Sequence, residues 1–285
     1  MNRSAASAKP SRICDANVPL RFRQHFVREY PVHAPLALAL ERSLECNILA
    51  RHTFEPPVLD LGCGDGLFAS MLFADPLDTG VDLSNEEISR ARKRGTYREL
   101  ICCPGSVIPK PEGSYQSIVS NSVLEHIPDL TPVLRESFRL LKPGGCFYLT
   151  VPSNQFDQYS LIHILLTGVG LKRMASRYRA FYNRFWKHHH AYSLTEWKHQ
   201  IAEVGFQVVE AHTYDPKRTA LMNDCLMPLA LLSSAWRKLF GRWVLHEPLR
   251  RAIAPLFAPL FQKWLRGADQ CNDGGLVFVM ACKPL

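Results

Sequence analysis

Three glycines at alternate positions, Gly62, Gly64 and Gly66, follow a short apolar run that carries one acid, Val58-Leu59-Asp60-Leu61. Glycine reaches positive φ without a Cβ penalty and lets a ligand come close to the main chain. A helical pattern begins directly afterwards at Leu67 and Phe68, so the free N–H groups of that helix start face whatever the glycine turn holds. Such a stretch is a cradle for a nucleotide-type cofactor. Its spacing is G-x-G-x-G, with Leu67 where the dinucleotide fingerprint would carry a third glycine. A second acid, Asp82, closes the next unit, Gly80-Val81-Asp82, and is placed to hold ribose hydroxyls. Two groups of histidines, His126 and the run His188-His189-His190, are candidate general bases, because imidazole titrates in the useful range.

These side chains need strands that end at one edge and helices that return the chain. Leu67, Phe68, Met71 and Leu72 recur at helical spacing. Ser84-x-x-Glu87 is a capping-box pattern that opens a helix through Arg94, with Gly95 to end it. A third strand is expected near Glu99–Cys102, and a fourth around Ile118-Val119 with Ser120-Asn121 at its carboxyl end. Thr131-Pro132 is expected to start a helix that Gly144-Gly145 terminates, before a fifth strand over Phe147–Val151. Ser193-x-x-Glu196 is a second capping box, followed by strands at Phe206–Ala211 and Leu276–Ala281.

In this order and spacing, the segments 58–69, 80–84, 116–127 and 140–151 resemble the class I, Rossmann-like S-adenosylmethionine-dependent methyltransferases, from about Pro57 to Ala211. The resemblance implies an α/β fold: a doubly wound, mostly parallel seven-stranded Rossmann-like sheet with helical additions. It implies S-adenosyl-L-methionine as cofactor. Asp60 and the turn Gly62, Cys63, Gly64 and Gly66 would hold its methionine part, and Asp82 its ribose. Leu83 and Val107 would flank adenine, and Ser120 with Asn121 would meet the methionine end. Ser106 stands where the family usually has an acid facing the adenine amino group; a serine there accepts a hydrogen bond without charge assistance. His126 follows the fourth strand, and His190 lies closest to Tyr192-Ser193, where family members often place a pocket residue. These two are the expected catalytic groups, and no metal is expected.

The chain divides into a tail (1–19), an N-terminal helical cover (20–55) and the cofactor-binding half (56–151). A basic amphipathic addition (152–192), a core helix and strand (193–214), an apolar–basic insertion (215–273) and a final strand (274–285) follow. In the first addition Leu171, Met174, Tyr178, Phe181, Tyr182 and Phe185 fall on one stripe, with no acid from Gln158 to Thr195. In the second, Trp236, Leu239, Phe240, Trp243 and Val244 form a stripe, and prolines interrupt the apolar runs 226–232 and 252–261. Tryptophan with lysine and arginine at an apolar boundary is what a bilayer interface selects.

Nine scattered cysteines suit reduced thiols in a cytoplasmic protein, and the start carries no apolar secretory stretch. No run is long enough to span a bilayer, so any membrane contact is expected to be peripheral, on an anionic cytoplasmic face. The net charge of +8 also raises nucleic acid, but Ser120-Asn121-Ser122-Val123 stands where base amino-methylating enzymes carry an Asn/Asp-Pro-Pro-aromatic motif. The expected acceptor is therefore a small or lipid-linked molecule. An RNA methyltransferase and a non-catalytic cofactor-binding subunit stay open as alternatives.

Overall fold

The computed structural model describes residues 18–244 and 246–285, so the expected tail lies almost wholly outside the described residues. Helices α1 (Phe26–His33) and α2 (Leu36–Leu49) lead into β1 (Val58–Leu61), whose four residues are all buried. Next come α3 (Leu67–Leu72), β2 (Leu77–Asp82), α4 (Asn85–Arg94), β3 (Tyr97–Cys102), β4 (Tyr115–Asn121), α5 (Leu130–Leu140) and β5 (Leu141–Pro152). The first addition is α6 (Leu161–Gly168) and α7 (Lys172–Trp186). The chain then forms α8 (Leu194–Glu203), β6 (Gln207–Pro216), α9 (Lys217–Phe240), α10 (Glu247–Leu265) and β7 (Gly274–Cys282).

The strands form one sheet in the order β3-β2-β1-β4-β5-β7-β6. Only β7 runs antiparallel to its neighbours, so β6 again points the same way as β1, β2, β4 and β5. This is the doubly wound, mostly parallel sheet expected from the sequence. The carboxyl ends of those strands share one edge, where ligands of open α/β sheets bind. A central strand of a parallel sheet is covered on both faces, so it reads as an unbroken apolar run. Two apolar layers do the covering. One joins α1, α2, α3 and α10 to the sheet, with Phe54 and Phe278 fully buried. The other holds α5 and α8, where Trp197 is fully buried and its indole N–H donates to the Pro152 carbonyl at 3.0 Å.

Several local expectations are corrected. Helix α5 starts at Leu130, capped by the Asp129 carboxylate on the Thr131 N–H at 3.3 Å, and not at Thr131-Pro132. It ends at Leu140, and Gly144-Gly145 sit inside the first turn of β5, where a Cβ on Gly145 would lie 2.9 Å from the Gln116 carbonyl oxygen. The glycines thus allow an irregular approach of β5 to β4, and they do not cap the helix. Pro228, Pro255 and Pro259 lie within α9 and α10. An interior proline forfeits one backbone bond at a cost of about 3 kcal/mol, which the remaining turns of these long helices offset. The stripe expected from Trp236 to Val244 is cut after Phe240, because Gly241 takes φ 70 and ends α9. Cys146 and Cys282, paired in register across β5 and β7, form a disulfide 136 residues apart, which corrects the expectation of reduced thiols throughout.

One polar cluster fastens the N-terminal cover to the sheet. Arg42 of α2 forms an ion pair with the fully buried Glu45 and donates to the Ser122 hydroxyl beyond β4 at 2.7 Å. Tyr214 of β6 donates to Glu45 at 3.0 Å. Removing one member of a buried pair strands the other charge. Glu45→Ala should therefore lower the unfolding free energy by about 3 kcal/mol, the low end of the usual ~3–5 kcal/mol because Arg42 keeps Glu41. Urea denaturation measures this, and an unchanged midpoint would contradict the role given to the cluster.

Candidate active site

The glycine turn leaves β1 with φ of 81, 52 and 74 degrees at Gly62, Gly64 and Gly66. The first glycine is needed for packing, since a Cβ on Gly62 would lie 2.4 Å from a Val123 methyl carbon. The middle one faces open space, with no atom within 4 Å of a Cβ built there. Asp82, at the end of β2, fixes this turn: one carboxylate oxygen accepts from the Gly64 N–H at 3.0 Å and the other from the Ser84 N–H at 2.8 Å. An ionised carboxylate offers about four lone-pair sites, so acceptor capacity for two sugar hydroxyls remains.

Leu83 and Val107 are 74% and 68% exposed, two large apolar side chains left uncovered beside the ends of β2 and β3. A flat apolar ring between them fits that exposure, with half-buried Ser106 alongside. Asp60 sits beneath the turn, buried, and accepts from the Tyr97 hydroxyl at 2.6 Å. Burial pushes its carboxyl up to about 7, against the pull of the tyrosine hydrogen bond. Cys63 is buried under the same turn. Ser120 is buried with its hydroxyl lacking a partner, and the Asn121 amide donates to the Thr150 hydroxyl at 2.6 Å. The open Gly64 cradle, the spare lone pairs of Asp82 and the uncovered apolar pair together fit S-adenosylmethionine.

Beyond the end of β4 lies a cavity of about 480 Å³, closed by α2, α7 and α9. That volume is in the range of small-molecule sites. A wider groove of about 560 Å³ is lined by Phe22–Val27, Asn47, Ala50 and Gln262, and includes no residue of the glycine turn or of β4. In the 480 Å³ cavity Glu125, His126 and His188 each bring a polar atom within 4.8 Å of the other two. The backbone explains which histidine enters. The His189 N–H donates to the Glu125 carbonyl at 2.8 Å, so successive side chains of the run diverge. His188 turns into the cavity, whereas the His190 imidazole reaches the Ile127 carbonyl at 2.9 Å and does not line it. His126 keeps its place, with Nδ1 3.2 Å from the Lys187 carbonyl oxygen.

Burial pushes His126 down and His188 to about 4, so both rings are neutral at neutral pH and able to accept a proton. Glu125, itself buried, is pushed up to about 8 and is held as the neutral acid.

Helix α9 closes the mouth from the other side. Arg237 reaches Glu87 of α4 at 2.6 Å and Asp65 of the glycine turn at 3.4 Å, and lies over the Trp243 ring at 4.4 Å. Sequence reasoning did not single out Arg237, Arg42 or Glu125. Arg42 meets a hydroxyl 80 residues away, Arg237 meets carboxylates 150 and 172 residues away, and Glu125 meets the histidine run at the far end of α7, contacts for which no local pattern is a signal.

The family model described as a methyltransferase domain matches residues 23–211. A stretch of 99 residues is 34% identical to a ubiquinone biosynthesis O-methyltransferase of Xanthomonas oryzae pv. oryzae, covering 33% of this chain and 41% of that protein. A protein of the same name from Vibrio parahaemolyticus is 30% identical over 135 residues, covering 45% of this chain and 56% of that protein. The chain thus spans about half the length of these relatives. Among solved structures, an S-adenosylmethionine-dependent methyltransferase from Thermotoga maritima matches with a TM-score of 0.51 at 15% identity, over 87% of this chain and 91% of that one. At that identity the likeness concerns the fold.

The state of Glu125 has a measurable consequence. The unfolded chain releases this proton from about pH 4.5, whereas the folded one keeps it to about 8. The group's contribution to stability is therefore complete below the first value and lost as pH rises through the second. Relative to Glu125→Gln, which cannot ionise, the wild-type chain should lose stability steadily between those pH values and level off above them. A stability difference that is flat across the same range would contradict the assignment.

Proposed function

The chain belongs to the class I, Rossmann-like family of S-adenosylmethionine-dependent methyltransferases, and we propose that it transfers the methyl group to a hydroxyl of a small or lipid-linked acceptor at an anionic membrane surface. The observation that carries this reading is the cavity of about 480 Å³ that begins beside Ser122 and His126 at the sheet edge and is closed by helices added to the core. Bound at the glycine turn, S-adenosylmethionine would supply a methyl group activated on a sulfonium.

The chain's own residues bind, orient and dry the site. The Gly64 turn and Asp82 hold the cofactor's polar parts, and the acids around the turn favour a cationic ligand over a pyrophosphate by charge. Leu83 and Val107 take the base. Helices α2, α7 and α9 keep water from the cavity and hold the acceptor on the transfer axis, where positioning supplies much of the rate. His126, neutral and at the cavity wall, takes the hydroxyl proton, with His188 beside it at a ring-centre distance of 5.3 Å. The O-methyltransferase names of the partial relatives support an oxygen nucleophile.

The membrane part rests on exposed apolar side chains set among bases. Leu165, Val169, Phe181, Leu232, Leu239 and Leu256, all on or next to α6, α7, α9 and α10, are 60–75% exposed. Lys172, Arg173, Arg177 and Arg184 stand on α7 with no acid in that helix. Patches of this kind mark interaction surfaces, and basic amphipathic helices lie in bilayer interfaces. Among the described residues no helix is long and apolar enough to cross a membrane.

With labelled S-adenosylmethionine and a cell extract, label should enter the organic-extractable fraction. His126→Ala should lower the rate about 100-fold with cofactor affinity kept. Label confined to RNA would overturn the choice of acceptor. Vesicles rich in phosphatidylglycerol should bind the protein at low salt and release it at high salt, whereas phosphatidylcholine vesicles should not retain it. Equal behaviour with the two vesicle types would remove the membrane from the proposal.

A further inference from the structure

The cavity does not end at its histidines. It shares Glu41, Phe156, Asn223 and Met227 with a narrow recess of about 30 Å³ behind it. The recess is lined by three carboxylates, of Glu41, Asp215 and Asp224, and by the rings of Phe156, Tyr159 and Tyr182. No lysine, arginine or histidine lines it. The cations nearby are committed elsewhere: Arg42 to Glu45 and Ser122, with Glu41 at 3.5 Å, and Arg179 to Asp157 at 2.9 Å. Among the described residues neither Asp215 nor Asp224 has a cationic partner.

Two further observations point to a missing ligand. Asp215 is 2% exposed, yet among the described residues one of its carboxylate oxygens has no hydrogen-bond partner, and Asn223, 7% exposed, has none for either amide atom. Buried polar groups are normally paired, so three orphaned atoms at one recess require an occupant. Asp215 also takes φ 61 directly before Pro216, a conformation that the following proline disfavours. Backbone held this way clusters at ligand sites. Asp215 stands at the carboxyl end of β6, on the same edge as the cofactor turn.

We propose that this recess receives the primary ammonium group of the methyl acceptor. The inference rests on the methyltransferase reading and narrows its substrate class to a molecule that carries both a hydroxyl and an alkylamine. At about 30 Å³ the recess is far smaller than the cavity it opens from, and it has room for a group of the size of –NH₃⁺. Two of its three N–H donors match the unpartnered Asp215 and Asn223 side-chain oxygens, Oδ1 in each. The aromatic faces attract a cation. Burial and the neighbouring Glu41 carboxylate raise the Asp215 carboxyl, and an ammonium partner would favour its ionised form.

The test is calorimetric titration of tyramine and of 4-ethylphenol, which differ by the ammonium group, into the protein with and without S-adenosylhomocysteine. Tyramine should bind about 10- to 100-fold more tightly, the range of a charge-assisted hydrogen bond. Asp215→Asn keeps a side chain that tolerates left-handed backbone, so the variant should fold. It should erase the preference while S-adenosylhomocysteine affinity stays unchanged. Equal affinity for the two probes, no binding of either, or a preference that survives in Asp215→Asn would overturn the ammonium site. Failure of S-adenosylhomocysteine to bind would instead overturn the cofactor reading, and the tyramine preference measured without it tells the two failures apart.

Discussion

A single carboxylate carries the architecture of the cofactor edge. Asp82 accepts from Gly64 on the turn after β1 and from Ser84 at the start of α4, so it locks two loops that come from different strands. The turn it locks is one only glycine can make at Gly62, where Val123 leaves no room for a Cβ. At Gly64 the same backbone faces open space, so the chain stays free of side chains where a ligand must come close. Tyr97 supports the turn from beneath by packing near Gly66 and donating to Asp60. The sheet order places all of this on the edge where β4, β5 and β6 also end.

The helical additions depend on a second polar network. Arg42, Glu45, Ser122 and Tyr214 bring α2, the end of β4 and the end of β6 to one point. Two of these residues, Arg42 and Ser122, also line the cavity beyond β4. Helix α7 is sewn to the same place by the backbone contacts of Lys187 and His189 with His126 and Glu125. Helix α9 reaches across to the glycine turn through Arg237. The exposed apolar side chains of α7 and α9 therefore sit on the helices that wall the cavity.

Much of the core was legible because its signals are local. The turn after Leu61, the Ser193–Glu196 capping box and the apolar strands are patterns of adjacent residues, and each lies where the spacing predicts. The Ser84–Glu87 box is half formed, because Asp82 takes the Ser84 N–H and Arg237 takes the Glu87 carboxylate. Signals that depend on chain path were not legible. Proximity to Tyr192 favoured His190, but the hydrogen bond of His189 to Glu125 decides which ring turns inward, and it is His188. The pairing of Cys146 with Cys282 follows from β7 inserting between β5 and β6, which no cysteine spacing reveals. Asp215 and Asn223 read as ordinary polar residues until the recess around them is seen to lack partners.

The central claim is that the sulfonium cofactor lies across the ends of β1 and β2 with its ribose on Asp82. A crystal structure with S-adenosylhomocysteine tests it most directly. The ribose hydroxyls should lie within hydrogen-bond distance of the Asp82 carboxylate, with adenine between Leu83 and Val107. Density for the ligand elsewhere, or binding of NAD with its pyrophosphate on the Gly64 turn while S-adenosylhomocysteine is excluded, would contradict it.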